Sequence, residues 1–512
     1  MMSIFLNLMY LLATILAIFS VVLLFAASIC VLLLWNRHRH YNHIPGPKRT
    51  SFFYGNASEL TDNKGRLLCE ILLDHALTYG PVFVWWYFFS PLVVISSPEF
   101  IKYGIVTLNL PKAPSMYNSI AYLFGRYRFL GSGLFTQVDH DKWRHQKRLL
   151  SPAFHRGYLK GLVPQFNSVA SSLVTKLMDI ADGKTVVDMA DEFQKTTLDV
   201  IGKVAFNLEL KCLEDNSSVP NCLYKCLEGY EESYLDPFLS LPFYKHSYQK
   251  NVQKSLSFLR NLARESIERR REAMQESCQP HPNDIMGMIL QASQLDGDVS
   301  MEDLVDEFIT FFVAGQDTTA NQLSFALLEI LLNGRIENSI FQEVDHVLGN
   351  KETVEYDDIS KLQYVKQTLK ESLRKHPPAG GMLRTSTKPE KFGSFQIPKG
   401  AIIDFSIYVA HHLPENWCDP ECFNPDRFLG ENNSENKISN FVYFPFSCGP
   451  RTCIGKDFSS INASILMAQL FRKFKFELVA GQTLQREEKM TMRPKGGVLC
   501  TIKKRSTRAC QR

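Results

Sequence analysis

No aspartate, glutamate, lysine or arginine precedes Arg37, and Leu8 to Leu34 is almost wholly apolar. That lack of charge permits a bilayer crossing, which takes roughly 20 apolar residues. A cleaved signal peptide is the competing reading, but it carries a basic n-region and an apolar core of about 7–15 residues. Here the n-region has no basic side chain and the apolar run is about twice such a core. Residues 1–36 are therefore read as a retained anchor. Arg37, Arg39, Lys48 and Arg49 follow at once, and the excess of positive charge on the cytoplasmic side of anchors puts everything downstream in the cytosol. The Asn-x-Ser/Thr sites at Asn56, Asn216, Asn432 and Asn462 then never meet the glycosylation machinery.

Blocks of one charge sign are also missing. The formal net charge is +4 with basic and acidic residues interleaved, so the electrostatic footprint of a nucleic-acid binder is lacking. The twelve cysteines are scattered rather than dense, unlike the framework of a small secreted domain, and point to a reducing compartment. His411, His412, Cys418 and Cys422 could suggest zinc, but the paired histidines and CxxxC spacing fit no common finger and are read as ordinary core and surface residues. No repeat with a period of about 20–50 residues is visible. No low-complexity tract and no NADPH-binding segment is visible either.

What the chain does contain is helix. Its 512 residues could make several domains or one large one around a ligand. After a stiff hinge over residues 37–50, in which HIPGPKR (His43 to Arg49) discourages helix and sheet, VFVWWYFFSPLVVIS (Val82 to Ser96) reads as a hairpin around its Ser-Pro break. Helical periodicity covers Tyr158 to Ile180, Val252 to Met274, Met301 to Leu332 and Lys361 to Lys375, with Ser300 and Ser360 as capping candidates. A short break falls at Gln279 to Asp284. The expectation is one mainly α catalytic domain over residues 51–512, with a small β lobe near the amino end.

Three constellations carry chemistry. In FPFSCGPRTCIGKDF (Phe444 to Phe458), Gly449 and Gly455 bracket Cys453, and a helical run begins at Gly455. A cysteine just before a helix start meets unpaired amides and the positive end of the dipole, and Arg451 adds a cation, so the sulfur is expected to be a thiolate ligand or nucleophile. In FFVAGQDTTANQLSF (Phe311 to Phe325), Gly315 costs about 1 kcal/mol against alanine in a helix interior, and Thr318 can bond back to a carbonyl and open the helix locally. Adjacent Asp317 and Thr318 form an acid and alcohol pair suited to proton relay. In KESLRKHPP, Glu371 and Arg374 lie three apart on one helix face, and Arg427 of FNPDRF can join them.

The pattern F-x-x-G-x-R-x-C-x-G, met by Phe446, Gly449, Arg451, Cys453 and Gly455, resembles the haem-binding loop of the cytochrome P450 family. The segment Ala314, Gly315, Asp317, Thr318, Thr319 is similar to the family's oxygen-activating helix, and Glu371, Arg374 and Arg427 look like its structural triad. The resemblance implies a P450-like fold behind an amino-terminal transmembrane helix, with Cys453 as axial thiolate on the iron of haem b. Phe446 then packs near the sulfur, and Arg451, Arg384 and Trp143 meet the haem propionates. Many relatives carry arginine four residues after that tryptophan; Lys147 stands there, with Arg148 next. The triad is expected to be scaffold. The implied reaction is monooxygenation of a lipophilic molecule with O2 and electrons from NADPH, passed on by a membrane-bound flavoprotein reductase at the endoplasmic reticulum membrane. Within the family TFFVAGQDTTANQL, TLKESLRKHPPA, FNPDRF and YFPFSCGPRTCIG look most like cholesterol 24-hydroxylase, which predicts a sterol side chain as substrate, with fatty acids or xenobiotics as runners-up. The stretches expected to line the pocket, Tyr117 to Gly125 and the Ala379 to Met382 turn, look less like it. A haem-thiolate isomerase or dehydratase, a haem sensor and a membrane-tethered scaffold are the readings from other classes.

Overall fold

The computed structural model describes residues 2–62, 65–276, 284–296, 299–430 and 438–505. Most of the expected break at Gln279 to Asp284, the Asn432 site, Cys278 and Cys510 lie outside the described residues. Helix α1 (Met2–Tyr41) is long and apolar enough to cross a membrane, with its apolar side chains exposed. It runs on through Arg37 to Tyr41, past the expected start of the hinge. His38 explains why: its ring packs edge-on 4.5 Å from Trp86 and 4.8 Å from Phe52, so the last turn belongs to the body. HIPGPKR forms neither helix nor strand, as its prolines require. The Val84 N–H donates to the Pro45 carbonyl at 2.8 Å, and a Cβ on Gly46 would lie 2.2 Å from the Val84 oxygen. Close backbone approach makes the linker rigid.

The hairpin forms from β1 (Val82–Tyr87) and β2 (Ser90–Ile95). It turns at Phe88, whose φ is 52°, rather than at the Ser-Pro break. Pro91 sits inside β2 just before parallel pairing begins at Leu92↔Ile402, where its missing N–H costs nothing. Beyond other short two-stranded ribbons, further strands are β3 (Asp182–Asp188), β4 (Gly381–Thr385), β5 (Ile402–Ser406), β6 (Phe474–Leu478), β7 (Arg486–Glu488), β8 (Met492–Pro494) and β9 (Leu499–Lys504). The sheet order β1-β2-β5-β4 shows that the β lobe is closed by strands from the carboxyl half of the chain. A second sheet runs β6-β9-β3.

The helical layer contains α2 (His140–Leu150), α3 (Val163–Asp179), α4 (Met189–Val200), α5 (Val219–Leu235), α6 (His246–Glu276), α7 (Met301–Leu332), α8 (Gln363–Lys375), α9 (Ile407–His412) and α10 (Lys456–Lys473). The segment Tyr158 to Ile180 breaks at Leu162, because Pro164 begins a new helix there. Ser300 caps α7 reciprocally with Asp303, each bond at 3.2 Å. Ser360 caps nothing: it closes the short helix Tyr356–Lys361, whose cap is Glu355, and its hydroxyl donates to the Asp357 carbonyl. Helix α7 is buried on nearly every side and crosses the core against α4, α6, α8 and α10. The middle of α7 and the start of α10 face each other across one interior space.

Candidate active site

The cysteine loop is shaped by backbone geometry. Ser447 and Gly449 both take left-handed conformations, with φ 64° and 72°, and a Cβ on Gly449 would lie 2.8 Å from Ile105 Cγ2. The Cys453 N–H donates to the Phe446 carbonyl at 2.9 Å, and Thr452 Oγ1 donates to the Gly449 carbonyl at 2.6 Å. Helix α10 follows with Gly455 as its cap. Cys453 thus borders an apolar cavity of about 300 Å³ that also touches Phe446, Gly455 and, from α7, Ala314, Gly315 and Thr318. Cys448 is buried in the core of the β lobe, where burial pushes its thiol up to about 12. It only packs.

Accessible surface and depth differ at Cys453: the cavity reaches the residue, yet protein encloses it on all sides, and depth governs its ionisation. Burial raises the thiol. The Gly455 N–H and the charges of Lys147 and Lys456 oppose that rise without reversing it. The expected lowering by Arg451 is absent because that guanidinium points elsewhere. It donates to the Gln137 carbonyl at 2.7 Å and lies 4.3 Å from the Trp143 ring.

The acid and alcohol pair is split across α7. The Thr318 hydroxyl donates to the Ala314 carbonyl at 2.7 Å and its side chain borders the main cavity, while the helix stays α-helical throughout. Asp317, one residue earlier, accepts from Thr491 and from Asn321 Nδ2 at 3.3 Å and borders a separate polar cavity of about 50 Å³ beside Glu231, Lys489 and Arg493. Burial raises its carboxyl. Adjacent residues on a helix point about 100° apart, so sequence neighbours serve two compartments. Gly315 leaves room for a neighbour: a Cβ there would lie 2.3 Å from Ile201 Cδ1, so the Ile201 side chain would have to turn aside.

Glu371, Arg374 and Arg427 meet in one buried network. Glu371 accepts from Arg374 Nε at 2.8 Å, from its terminal nitrogen at 2.9 Å, and from Arg427 Nε at 3.3 Å. Arg374 also donates to the His411 carbonyl at 2.9 Å. His411 itself, unremarked in sequence except as a metal candidate, accepts the Phe444 N–H at 3.1 Å through Nε2. Burial and the Arg374 charge push its imidazole down to about 3, so Nε2 is free to accept. It ties the triad to the start of the cysteine loop.

A cluster of cations completes the cavity. Arg384, Arg451, Lys147 and Lys112 all border it, whereas no carboxylate does among the described residues. Lys147 Nζ donates to the Pro450 carbonyl at 2.5 Å; Arg148 turns outward to His145. Lys112 escaped sequence reasoning, since one lysine in a loop carries no pattern. Its ammonium donates to the Phe135 carbonyl and lies 4.3 Å from the Tyr117 ring. Burial, then Arg384 and Arg451, hold it well below the usual lysine range, and the Arg451 guanidinium is pushed down to about 10 by burial and Arg384. Crowded basic side chains with no carboxylate in the cavity wall favour an anion there. Of the stretches expected to line the pocket, Tyr117, Ala379, Gly381 and Met382 do so.

Residues 45–502 match the family Cytochrome P450. The chain belongs to the cytochrome P450 family. It is 28% identical over 489 residues to the human "Ultra-long-chain fatty acid omega-hydroxylase", covering 92% of this chain and 90% of that one. Rat "Cytochrome P450 4F6" is 29% identical, covering 90% and 88%, and "Protein LUTEIN DEFICIENT 5, chloroplastic" of Arabidopsis thaliana is 29% identical, covering 80% and 69%. Such a P450 is a haem monooxygenase that uses O2 and electrons from NADPH delivered through a reductase. The residues present fit haem: a thiol is aimed into an apolar cavity, and unpaired cations stand ready for two carboxylates. Replacing Lys112 by Met is expected to stabilise the haem-free protein and weaken haem retention. The gap in melting temperature between haem-loaded and haem-free protein should narrow, reflecting a loss of about 1.5–3 kcal/mol from one charge-assisted bond.

Proposed function

We propose that this chain is a membrane-anchored haem-thiolate monooxygenase that hydroxylates a long-chain fatty acid. It would sit in the endoplasmic reticulum membrane with its body on the cytosolic side and receive electrons from an NADPH-dependent flavoprotein reductase. The carrying observation is the apolar cavity walled by Thr318, Phe311 and Leu134, together with the fatty-acid omega-hydroxylase activity that the human relative is named for. A sterol side chain, the substrate that the motifs suggested, loses its support. Those motif stretches surround Cys453, the middle of α7 and the buried triad, so they answer to the cofactor and the scaffold rather than to the substrate. The membrane placement is supported by α1 and by a belt of exposed apolar residues beside its exit. Phe53, Tyr54 and Phe89 are exposed, and Tyr87 stacks 5.5 Å from Tyr234 at the end of α5, where Leu235, Phe238 and Phe243 are also exposed.

Haem, when bound, supplies thiolate-ligated iron that activates O2. The chain's own part is positional. The cations orient the cofactor's carboxylates, the apolar walls exclude water, and Thr318 Oγ1 holds a proton at the cavity face. Asp317 holds one at the polar face, beside the smaller cavity that can supply it. Reconstituted protein should therefore oxidise a saturated fatty acid of about 20 or more carbons in preference to cholesterol, read by mass spectrometry of the products; faster turnover of cholesterol would refute the fatty-acid reading. Thr318→Ala is expected to keep NADPH oxidation while product formed per NADPH falls severalfold. Unchanged coupling removes Thr318 from proton handling.

A further inference from the structure

The amino-terminal third of α7 carries two buried carboxylates, Asp306 and Glu307, that grip a glycine-containing loop, Leu130 to Thr136. The Ser132 N–H donates to Asp306 Oδ2 at 2.7 Å and the Leu134 N–H to Glu307 Oε2 at 3.0 Å. The fit allows no extra atom: a Cβ on Gly131 would lie 2.0 Å from Asp306 Oδ2, and one on Gly133 would lie 2.1 Å from Thr310 Oγ1. Gln146 of α2 holds the same loop by donating to the Ser132 carbonyl at 2.7 Å. The residues so held matter, since Leu134 and Phe135 form cavity wall and the Phe135 carbonyl receives Lys112.

The two carboxylates differ in their partners. Asp306 is neutralised by Arg128 and by Arg260 of α6, at 2.6 Å and 2.9 Å. Among the described residues Glu307 has no cation: its second oxygen, Oε1, is buried without a hydrogen-bond partner, and the charged groups that face it are Asp306 and Asp303 on its own helix. From the loop comes only the Leu134 N–H, while Arg128 and Arg260 of α6 are spent on Asp306 and its neighbours Asp303 and Glu302, and Arg264 of α6 on Glu302. Burial pushes its carboxyl up to about 8, with the Leu134 N–H opposing and Asp306 and Asp303 adding to the rise.

We infer that Glu307 is a positioning residue for substrate selection, which through the Leu134 N–H fixes Leu134 and Phe135 as the wall against which a long apolar substrate packs. It touches no reacting atom. Below its titration point the neutral carboxyl accepts the amide bond without adding charge to the acidic turn. Above it, a second negative charge stands beside Asp306 with no cation to meet it, and the wall loosens.

Two nitrogen ligands test this on the haem-loaded full chain without knowledge of the natural substrate. Imidazole reaches iron alone, whereas 1-dodecylimidazole also fills the cavity, so the ratio of their dissociation constants, read from the ferric absorbance shift, reports the wall. Glu307→Ala should weaken 1-dodecylimidazole by about tenfold relative to imidazole, as expected for one buried hydrogen bond. It should also speed hydrogen exchange in the peptide containing Leu134. In the wild type the ratio should shift towards weaker 1-dodecylimidazole as pH rises from 7 to 9. Glu307→Gln should match the wild type at pH 7 and lose that shift, which separates Glu307 from Asp404, another buried carboxyl pushed up to about 7. If Glu307→Ala yields no folded protein, Glu307→Gln decides. A pH shift that persists in Glu307→Gln, or an unchanged ratio and unchanged exchange in Glu307→Ala, overturns the assignment.

Discussion

Glu371→Ala is expected to yield little or no haem-loaded protein. Glu371 and Arg374 are both fully buried, and removing one partner of a buried pair costs about 3–5 kcal/mol, because the other charge is left unmet. That is a large share of a total stability of about 5–15 kcal/mol. The damage also spreads. Glu371 accepts the Asn424 N–H at 2.9 Å, and Arg374 donates to the carbonyls of His411 and Pro420 at 2.9 and 2.7 Å. His411 in turn receives the Phe444 N–H, the first residue of the cysteine loop. The loss therefore reaches the haem pocket through two bonds. Glu371→Gln keeps one acceptor oxygen, puts a donor amide in place of the other and removes the charge, so it should fall between Glu371→Ala and the wild type. The measurements are the ratio of haem to protein absorbance after gel filtration and the thermal unfolding midpoint. A Glu371→Ala protein that retains haem at the wild-type ratio would show that the triad is dispensable to the pocket.

How far the sequence foretold this arrangement depends on the range of each interaction. Helix α7 was legible end to end because its signals are local: Ser300 and Asp303 lie three residues apart, and the apolar run ends at Leu332. Cys453 and Gly449 were legible because the loop's shape is fixed by neighbours in sequence. Four things were not. The strands β4 and β5 are short and pair with each other, and they join the β lobe only because β5 pairs with β2 across some 300 residues. Lys112 acquires meaning only beside Arg384 and Arg451. The Asp317 and Thr318 pair was read as one device because adjacency in sequence looks like adjacency in space, whereas the helical turn between them sends one side chain to each side of α7. Ser360 failed as a cap for the same reason: the right residue type stood where a different short helix was ending.

Cys453→Ala is expected to abolish the thiolate-type Soret band of the reduced, carbon monoxide-bound protein and to reduce hydroxylation to background. Before haem binds, burial keeps the group a neutral thiol against the pull of the Gly455 N–H, Lys147 and Lys456. A coordinated metal ion deprotonates a thiol outright, so loading the haem-free wild type should release a proton that Cys453→Ala does not release, measurable in weakly buffered solution with an indicator dye. The sign follows from the raised thiol: near neutral pH the proton is present before loading and absent after it. Lys147 then faces a permanent anion, which its present partners, the Pro450 and Thr452 carbonyls, do not supply. Lys147→Met should leave the band in place but make the haem easier to lose, since the neighbouring cation is gone while the ligand stays. If Cys453→Ala kept both the thiolate-type band and the proton release, the axial ligand would have to be another cysteine. Cys448, packed in the core of the β lobe with its thiol pushed up to about 12, is badly placed for it.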